Sequence, residues 1–193
     1  DLSFRRDGLD GTEHVQAVHI GHHQVGEHDV DPLLAHQLQR LPAARREQDL
    51  VSLPSKDALQ ALVPTDLFRI GPGEACYTVL LNERGGIRDD LIVYDRGWQA
   101  DGQCHELLLV INAACADTDT AWIRSQLEPA GIAIDDRKGE GVLLALQGPE
   151  AQVRLEALCG ESLSGLPRFG HRELELAGAT AFVGRTGYTG EDG

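Results

Sequence analysis

Two adjacent carboxylates, Asp89 and Asp90, lie in an otherwise apolar run directly after the glycine turn Gly85-Gly86. A carboxylate held in a dry cleft accepts hydrogen bonds from a ligand's N–H groups or takes part in proton transfer, whereas one facing solvent serves to solubilise an edge strand. Spacing alone leaves both readings open for this pair. A second candidate is Arg185-Thr186-Gly187-Tyr188-Thr189-Gly190-Glu191-Asp192-Gly193, whose glycines let backbone approach a ligand while Tyr188 stacks on a planar ring. It contains no lysine, so it is not a phosphate-binding loop of the GxxxxGK[ST] kind. His19, His22, His23 and His28, with Glu27 and Asp29, supply metal-ligand chemistry at spacings that match no metal motif, so no metal site is expected. Cys76 and Cys115 sit near strand ends without an adjacent histidine and read as small core residues, not nucleophiles.

The elements that must position these groups are legible from about Lys56 onward. Leu59, Leu62 and Val63 form the apolar stripe of a short helix that ends before Pro64. Ala75–Asn82, the turn Glu83–Gly86 and Ile87–Tyr94 read as a hairpin. In its second strand, alternation puts Ile87, Asp89, Leu91 and Val93 on one face and Arg88, Asp90, Ile92 and Tyr94 on the other, so one aspartate must face inward. Leu107–Asn112 reads as a buried central strand, and a helix is expected from Asp117 or Thr118 to Pro129. Val142–Leu146 reads as another buried strand. A helix follows Gln147-Gly148-Pro149 with Ala151, Leu155 and Leu158 on one side and Gly160 past its end. Leu174–Leu176 and Ala181–Val183 form a last hairpin, and Gly184–Gly193 an ordered loop. The expected fold class is α+β, with mostly antiparallel sheets and packed helices.

Residues 1–52 differ in character, holding six of the eight histidines and no lysine. Apolar residues there show no clear period apart from a possible short helix over Asp31–Leu41, so this stretch is expected to be a poorly ordered extension, with 53–193 as the folded domain. Across the whole chain, 17 Lys and Arg against 31 Asp and Glu give a net charge of −14, which argues against a duplex nucleic-acid or anionic-membrane binder. No apolar run approaches the ~20 residues that span a bilayer, no signal-peptide core opens the chain, and the four cysteines form no CxxC pair. Reduced thiols in the cytoplasm are expected. Methionine is absent, which predicts a chain clipped at its start.

Ordered motifs carry the rest. Gly73–Glu83, Gly85–Tyr94, Val110–Ala114, Ala145–Pro149 and Arg185–Gly193, in that order, resemble the aminomethyltransferases, the glycine cleavage T proteins. The resemblance covers Lys56–Gly193; the family's chain continues beyond the glycine-rich block, and its FDVSHMG-like motif has no counterpart in residues 1–52, so a fragment behind an unrelated or misread extension is expected. The resemblance implies a tetrahydrofolate site at the centre of a three-domain protein. It also implies a partner, the lipoylated H protein, which delivers an aminomethyl group, with methylene-tetrahydrofolate, ammonia and dihydrolipoyl H protein as products. By motif, Asp90 matches the family's essential aspartate, which orients the pterin and assists proton transfer, while Tyr77, Asn112 and Tyr188 match positions lining the folate pocket. Asp89 is expected to matter much less than Asp90, and a fragment is expected to bind folate weakly. An alternative from the same fold is a non-enzymatic folate-binding relative linked to iron-sulfur maintenance, which GGIxDDL with RTGYTGEDG fits less well. A folate domain of a demethylating flavoenzyme finds no support, because residues 1–52 lack a GxGxxG fingerprint.

Overall fold

The computed structural model describes residues 2–3, 14–20, 54–98, 105–187 and 193. Among them the chain runs through β1 (Leu2–Ser3), β2 (His14–Ile20), α1 (Pro54–Gln60), β3 (Ala75–Leu81), β4 (Ile87–Trp98) and β5 (His105–Asn112), then α2 (Ala116–Leu127), β6 (Ala133–Asp136), α3 (Ala151–Cys159), β7 (His171–Leu176) and β8 (Ala179–Gly184). One sheet has the order β1-β6-β2-β5-β4-β3, and β7-β8 is a separate two-stranded ribbon. Pairing is antiparallel for β1·β6, β3·β4, β4·β5 and β7·β8, while β2 runs parallel to both β5 and β6. The fold is α+β and mostly antiparallel, as its hairpin signals predict.

β5 is buried at every position from His105 to Asn112 because both faces of the sheet are covered there. On one face Leu91, Val93, Leu107, Leu109 and Ile111 join Leu59, Leu62 and Val63 around α1 and Ile123 and Leu127 of α2 in a continuous apolar core. On the other, Ala75, Ile92, Tyr94, Leu108 and Val110 meet Phe169 and Phe182. Tyr94 stands edge-on to Phe182 and His171, at centroid distances of 5.1 and 5.4 Å, so the β7-β8 ribbon is docked through aromatic contacts. Gly184 is required there, since a Cβ at that position would lie 2.8 Å from Tyr94 Cε1.

At the far end of the first face a buried charge cluster ties α1 to the sheet. Lys56 Nζ lies 2.5 Å from Asp95 Oδ2 and donates to the Ile70 carbonyl at 2.7 Å, while His105 Nε2 lies 3.0 Å from Asp95 Oδ1. Burial works to raise the Asp95 carboxyl, but hydrogen bonds from His105 and Lys56 and their charges outweigh it and hold it below the usual carboxylate range.

Several elements differ from expectation. β2 is a strand in the stretch for which the sequence offered no strand pattern. Val15 and Ala17 alternate with His14 and Gln16, but those polar residues and the adjacent apolar Ala17-Val18 mask the pattern, and its flanking neighbours β5 and β6 lie far away in sequence. Val142–Leu146 is not a buried strand: it is irregular and open, with Val142 87% and Leu144 84% exposed. A short apolar run needs a partner to become a strand, and no described strand pairs with it. α2 begins two or three residues early, with Cys115 as its N-cap in place of the expected Asp117 or Thr118, and the Thr118 hydroxyl donates back to the Cys115 carbonyl at 2.8 Å. In α3 the predicted stripe is graded, from buried Ala151 to exposed Leu158. The expected Asp31–Leu41 helix and residues 188–192 of the expected Gly184–Gly193 loop lie outside the described residues.

Removing Lys56 would strip the buried Asp95 carboxylate of its lysine, leaving His105 and the Gly97 amide as its partners and Oδ2 uncompensated. Lys56→Met is expected to lower the unfolding free energy by about 3–5 kcal/mol, read from urea denaturation at pH 7, whereas Val153→Ala on the exposed side of α3 shifts it by no more than about 0.5 kcal/mol. Since Asp95 holds its proton more weakly folded than unfolded, its stabilisation is complete above its ordinary value of 3.8 and is lost as pH falls through the lower folded value. The penalty of Lys56→Met should therefore shrink as pH is lowered below 3.8.

Candidate functional site

The hairpin turn sets which aspartate points where. Asn82 Oδ1 accepts from the amides of Arg84 and Gly86 at 2.9 and 3.0 Å, and Gly85 takes φ +78°, a left-handed value that favours glycine. From this turn β4 runs with Leu91 opposite Ile111 of β5 and Asp90 opposite Val79 of β3. Asp89 then joins the face of Leu91 and Val93, and Asp90 the face of Ile92 and Tyr94. Alternation had left open which aspartate turns inward; it is Asp89, only 2% exposed, while Asp90 is half-buried.

Three of the four residues singled out by motif come together at Asp90. Tyr77 Oη donates to Asp90 Oδ2 at 2.5 Å, and Asn112 Nδ2 donates to Asp90 Oδ1 at 2.6 Å. Tyr77 sits diagonally across the β3·β4 pair and is 55% exposed, so its ring lies at the surface of the site. Asn112 ends β5, where its amide reaches Asp90 Oδ1 and also Asp89 Oδ1 at 2.9 Å. Both acceptors are carboxylates, so the amide must present its NH₂ and not its carbonyl. Tyr188 lies outside the described residues, as do His22, His23 and His28; the side chains of His14 and His19 are likewise not described.

Next to this triad, on the same sheet face, is a cavity of about 490 Å³ lined by Ile92, Tyr94, Leu108 and Val110 from the sheet and by Leu155, Phe182 and Thr186 opposite. Ile92 and Val110 are each one pleat repeat, roughly 7 Å, from Asp90 and Asn112. A polar triad at the edge of an apolar, concave wall suits a ligand with one hydrogen-bonding heterocyclic end and one apolar end. Exposed Leu144 and half-exposed Leu143 and Leu146 also line this cavity, which gives the misread Val142–Leu146 run a place in the site.

On the opposite face the structure brings up residues the sequence reading missed. Asp119, in the first turn of α2, is 2% exposed and lies with Asp89 and Cys115 such that their ligand atoms fall within 4.8 Å of one another. An acidic residue in a helix's first turn reads as a partner of the helix dipole, which is why it escaped notice. Burial, a hydrogen bond with Asp89 and the Asp89 charge push the Asp119 carboxyl up to about 7, opposed by Arg88, whose Nε is 3.8 Å away. Burial and the same two acids push the Cys115 thiol up, and burial pushes the Cys76 thiol up to about 11 despite Lys56. Neither thiol is a ready nucleophile, as expected from their placement.

Residues 54–193 match the family described as the GCVT N-terminal domain, and the chain belongs to that family. Among its curated relatives, the aminomethyltransferase of Synechococcus sp. (strain RCC307) is 70% identical over 138 residues, and that of Parasynechococcus marenigrum (strain WH8102) 69% identical over 140. Each alignment takes in 72% of this chain but only 37% and 38% of the relative, so the chain spans little more than a third of the proteins it resembles. The crystal structure of glycine cleavage system aminomethyltransferase T from Bartonella henselae superposes with a TM-score of 0.53 at 28% identity, over 72% of this chain and 35% of that one.

With the Cys76 thiol raised from 9.0 to about 11, its thiolate fraction at pH 8 falls on the order of 100-fold. Iodoacetamide at pH 8 should label Cys76 on the order of 100-fold more slowly than an unperturbed cysteine, read by peptide mass spectrometry.

Proposed function

We propose that this domain supplies the tetrahydrofolate-binding half of an aminomethyltransferase of the glycine cleavage system, acting in the cytoplasm with the lipoylated H protein as donor. The observation that carries the reading is the Tyr77–Asp90–Asn112 triad at the mouth of the apolar cavity, in a chain whose relatives are named aminomethyltransferases. Tyr188, next to the described end of the chain, is proposed as a fourth contact to folate.

The chemistry asks for an acceptor of protons. Moving the carbon of an aminomethyl-lipoyl group onto folate makes two carbon–nitrogen bonds to the folate nitrogens and breaks one carbon–nitrogen and one carbon–sulfur bond. The two folate N–H protons must leave, one ending on ammonia and one on the lipoyl sulfur. A carboxylate beside the attacking nitrogen lowers the cost of that traffic by accepting a hydrogen bond from the N–H as positive charge builds on nitrogen. Donors from Tyr77 and Asn112 fix the Asp90 carboxylate in the site, so it meets the pterin as an oriented acceptor. The Tyr77 ring, exposed beside it, provides the stacking face for the flat heterocycle. The cavity wall of Ile92, Leu108 and Val110 takes the less polar part of the folate and keeps water from it.

Calorimetric titration with tetrahydrofolate tests the binding half of this reading. The chain should show one saturable site whose affinity drops about tenfold or more in Tyr77→Phe and in Asp90→Asn, the loss expected for a hydrogen bond to a charged group. Equal binding by wild type and both variants would overturn the assignment. In assays with aminomethyl-lipoyl H protein, Asp90→Asn should lower methylene-tetrahydrofolate formation by roughly 10²- to 10⁴-fold, the usual contribution of a positioned acid or base.

A further inference from the structure

Behind Asp90, on the sealed face of the sheet, two carboxylates are crowded together with too little to neutralise them. Asp89 comes from β4 and Asp119 from α2, each is 2% exposed, and their oxygens and Cys115 Sγ fall within 4.8 Å of one another. Oδ2 of Asp89 and Oδ2 of Asp119 are both buried and receive no hydrogen bond from an amide, hydroxyl or cation among the described residues. From the elements packed around the pair, the groups that face it are Arg88 of β4, Asn112 of β5 and Cys115 at the head of α2, while Asp90 lies on the other face and β3 offers apolar Leu80, which stands opposite Asp89. Arg88 is half-buried and divides itself between Asp119, at 3.8 Å, and the face of the Trp122 ring, 5.2 Å from its centroid. One loosely placed cation cannot compensate two desolvated anions, and a proton held between them can.

The same pair reaches the site through one side chain. Asn112 Nδ2 donates to Asp89 Oδ1 at 2.9 Å on the sealed face and to Asp90 Oδ1 at 2.6 Å on the open face. Whatever charge Asp89 and Asp119 carry is therefore felt by the amide that orients Asp90.

We propose that Asp89 and Asp119 hold one proton between them and act, through Asn112, as positioning residues for the Asp90 carboxylate. Asp119 carries the proton and donates to Asp89, whose other oxygen takes the Asn112 amide. The elevated Asp119 carboxyl, near neutrality, agrees with this arrangement, as does the raised Cys115 thiol, which also donates to Asp89. Loss of the shared proton puts a second full charge behind Asn112. The amide is then drawn toward Asp89, and the Asp90 carboxylate loses part of the donor that fixes it while a like charge appears behind it. This makes the orientation of Asp90 depend on pH through the pair behind it. The effect on Asp90 is independent of any ligand; its consequence for folate rests on the reading in the preceding subsection.

The test needs no variant at its first step. In the 193-residue chain labelled with aspartate carrying ¹³C at the carboxyl carbon, one aspartate signal should titrate near pH 7, and Asp119→Asn should remove it. Absence of any aspartate signal titrating above pH 6 overturns the shared proton. Across the same titration the Asp90 signal should respond in wild type and stop responding near pH 7 in Asp119→Asn, which imitates the protonated acid. An Asp90 signal that responds identically in both overturns the positioning role and leaves the pair structural. Tetrahydrofolate titrations at pH 6 and pH 8.5 supply the link to function. Wild type should lose affinity on the order of tenfold between them, within the usual range for coupling between two sites, while Asp119→Asn should stay level. If wild type binds no folate at either pH, the folate reading fails and the carboxyl titrations still decide the positioning role. If wild type binds and Asp119→Asn keeps the wild-type dependence, the folate reading survives and this inference does not.

Discussion

The register of β4 against β5 is the constraint on which the site depends. With Leu91 opposite Ile111 and Val93 opposite Leu109, the apolar members of both strands meet the helices, and the two aspartates fall on opposite faces. A one-residue slip of β4 would exchange Asp89 and Asp90 and turn Leu91 and Val93 away from that core. At roughly 1.5–3 kcal/mol for each large aliphatic side chain, two such losses come to roughly 3–6 kcal/mol, a large share of the stability of a domain this size. The two hydrogen bonds at half-buried Asp90 do not outweigh that, so the carboxylates go where the apolar residues of β4 send them. Asn82 and Gly85 agree with this register at the turn, and the irregularity between Leu80 and Leu81 takes up the mismatch on the β3 side.

Asp95 performs a matching task at the other end of β4. Its carboxylate gathers Lys56 and His105 on the helical face, and its carbonyl oxygen lies 2.8 Å from His171 Nε2. One residue thus joins α1, β5 and the β7-β8 ribbon, which carries Phe182 and leads into the segment that lines the cavity. A buried ion pair is an expensive way to gain stability, since hydrophobic residues of equal volume often serve better. Here the charges converge from three elements onto an irregular point of β4, between Asp95 and Gly97, where the register with β5 shifts. Such a convergence sets where the elements meet more than how strongly they do.

Much of this was legible before any coordinates. The β3-β4 hairpin, buried β5, the helix closed by Gly160 and the β7-β8 ribbon each follow from local signals: a glycine turn, a continuous apolar run, a left-handed cap, a two-residue turn. What escaped depends on partners distant in the chain. β2 is a strand because β5 and β6 flank it; by itself it is a polar, histidine-bearing stretch. Val142–Leu146 has the composition of a strand and lacks a neighbour to pair with among the described residues. Asp119 resembles a surface helix-capping acid until α2 is laid on the sheet and buries it against Asp89. The motif resemblance identified Tyr77, Asp90 and Asn112, which no periodicity could have linked, and the antiparallel pairing of β3, β4 and β5 explains why they converge.

Asp89 and Asp90 are chemically identical neighbours, and the sheet between them makes them different reagents. Asp90 has an oxygen held by Tyr77 and another by Asn112, yet it is only half-buried, so a ligand can approach its remaining lone pairs without first breaking those bonds. Asp89 is sealed against the core and a helix, where an incoming molecule cannot reach it. Its influence must travel through a shared hydrogen-bond donor, and Asn112 is placed at the strand end where a side chain can curl around the sheet edge to touch both faces. A central position in β5 would confine the amide to one face. The last residue of the strand is therefore where a polar side chain belongs, and ending the apolar run of β5 on asparagine joins the dry side of the domain to its open side.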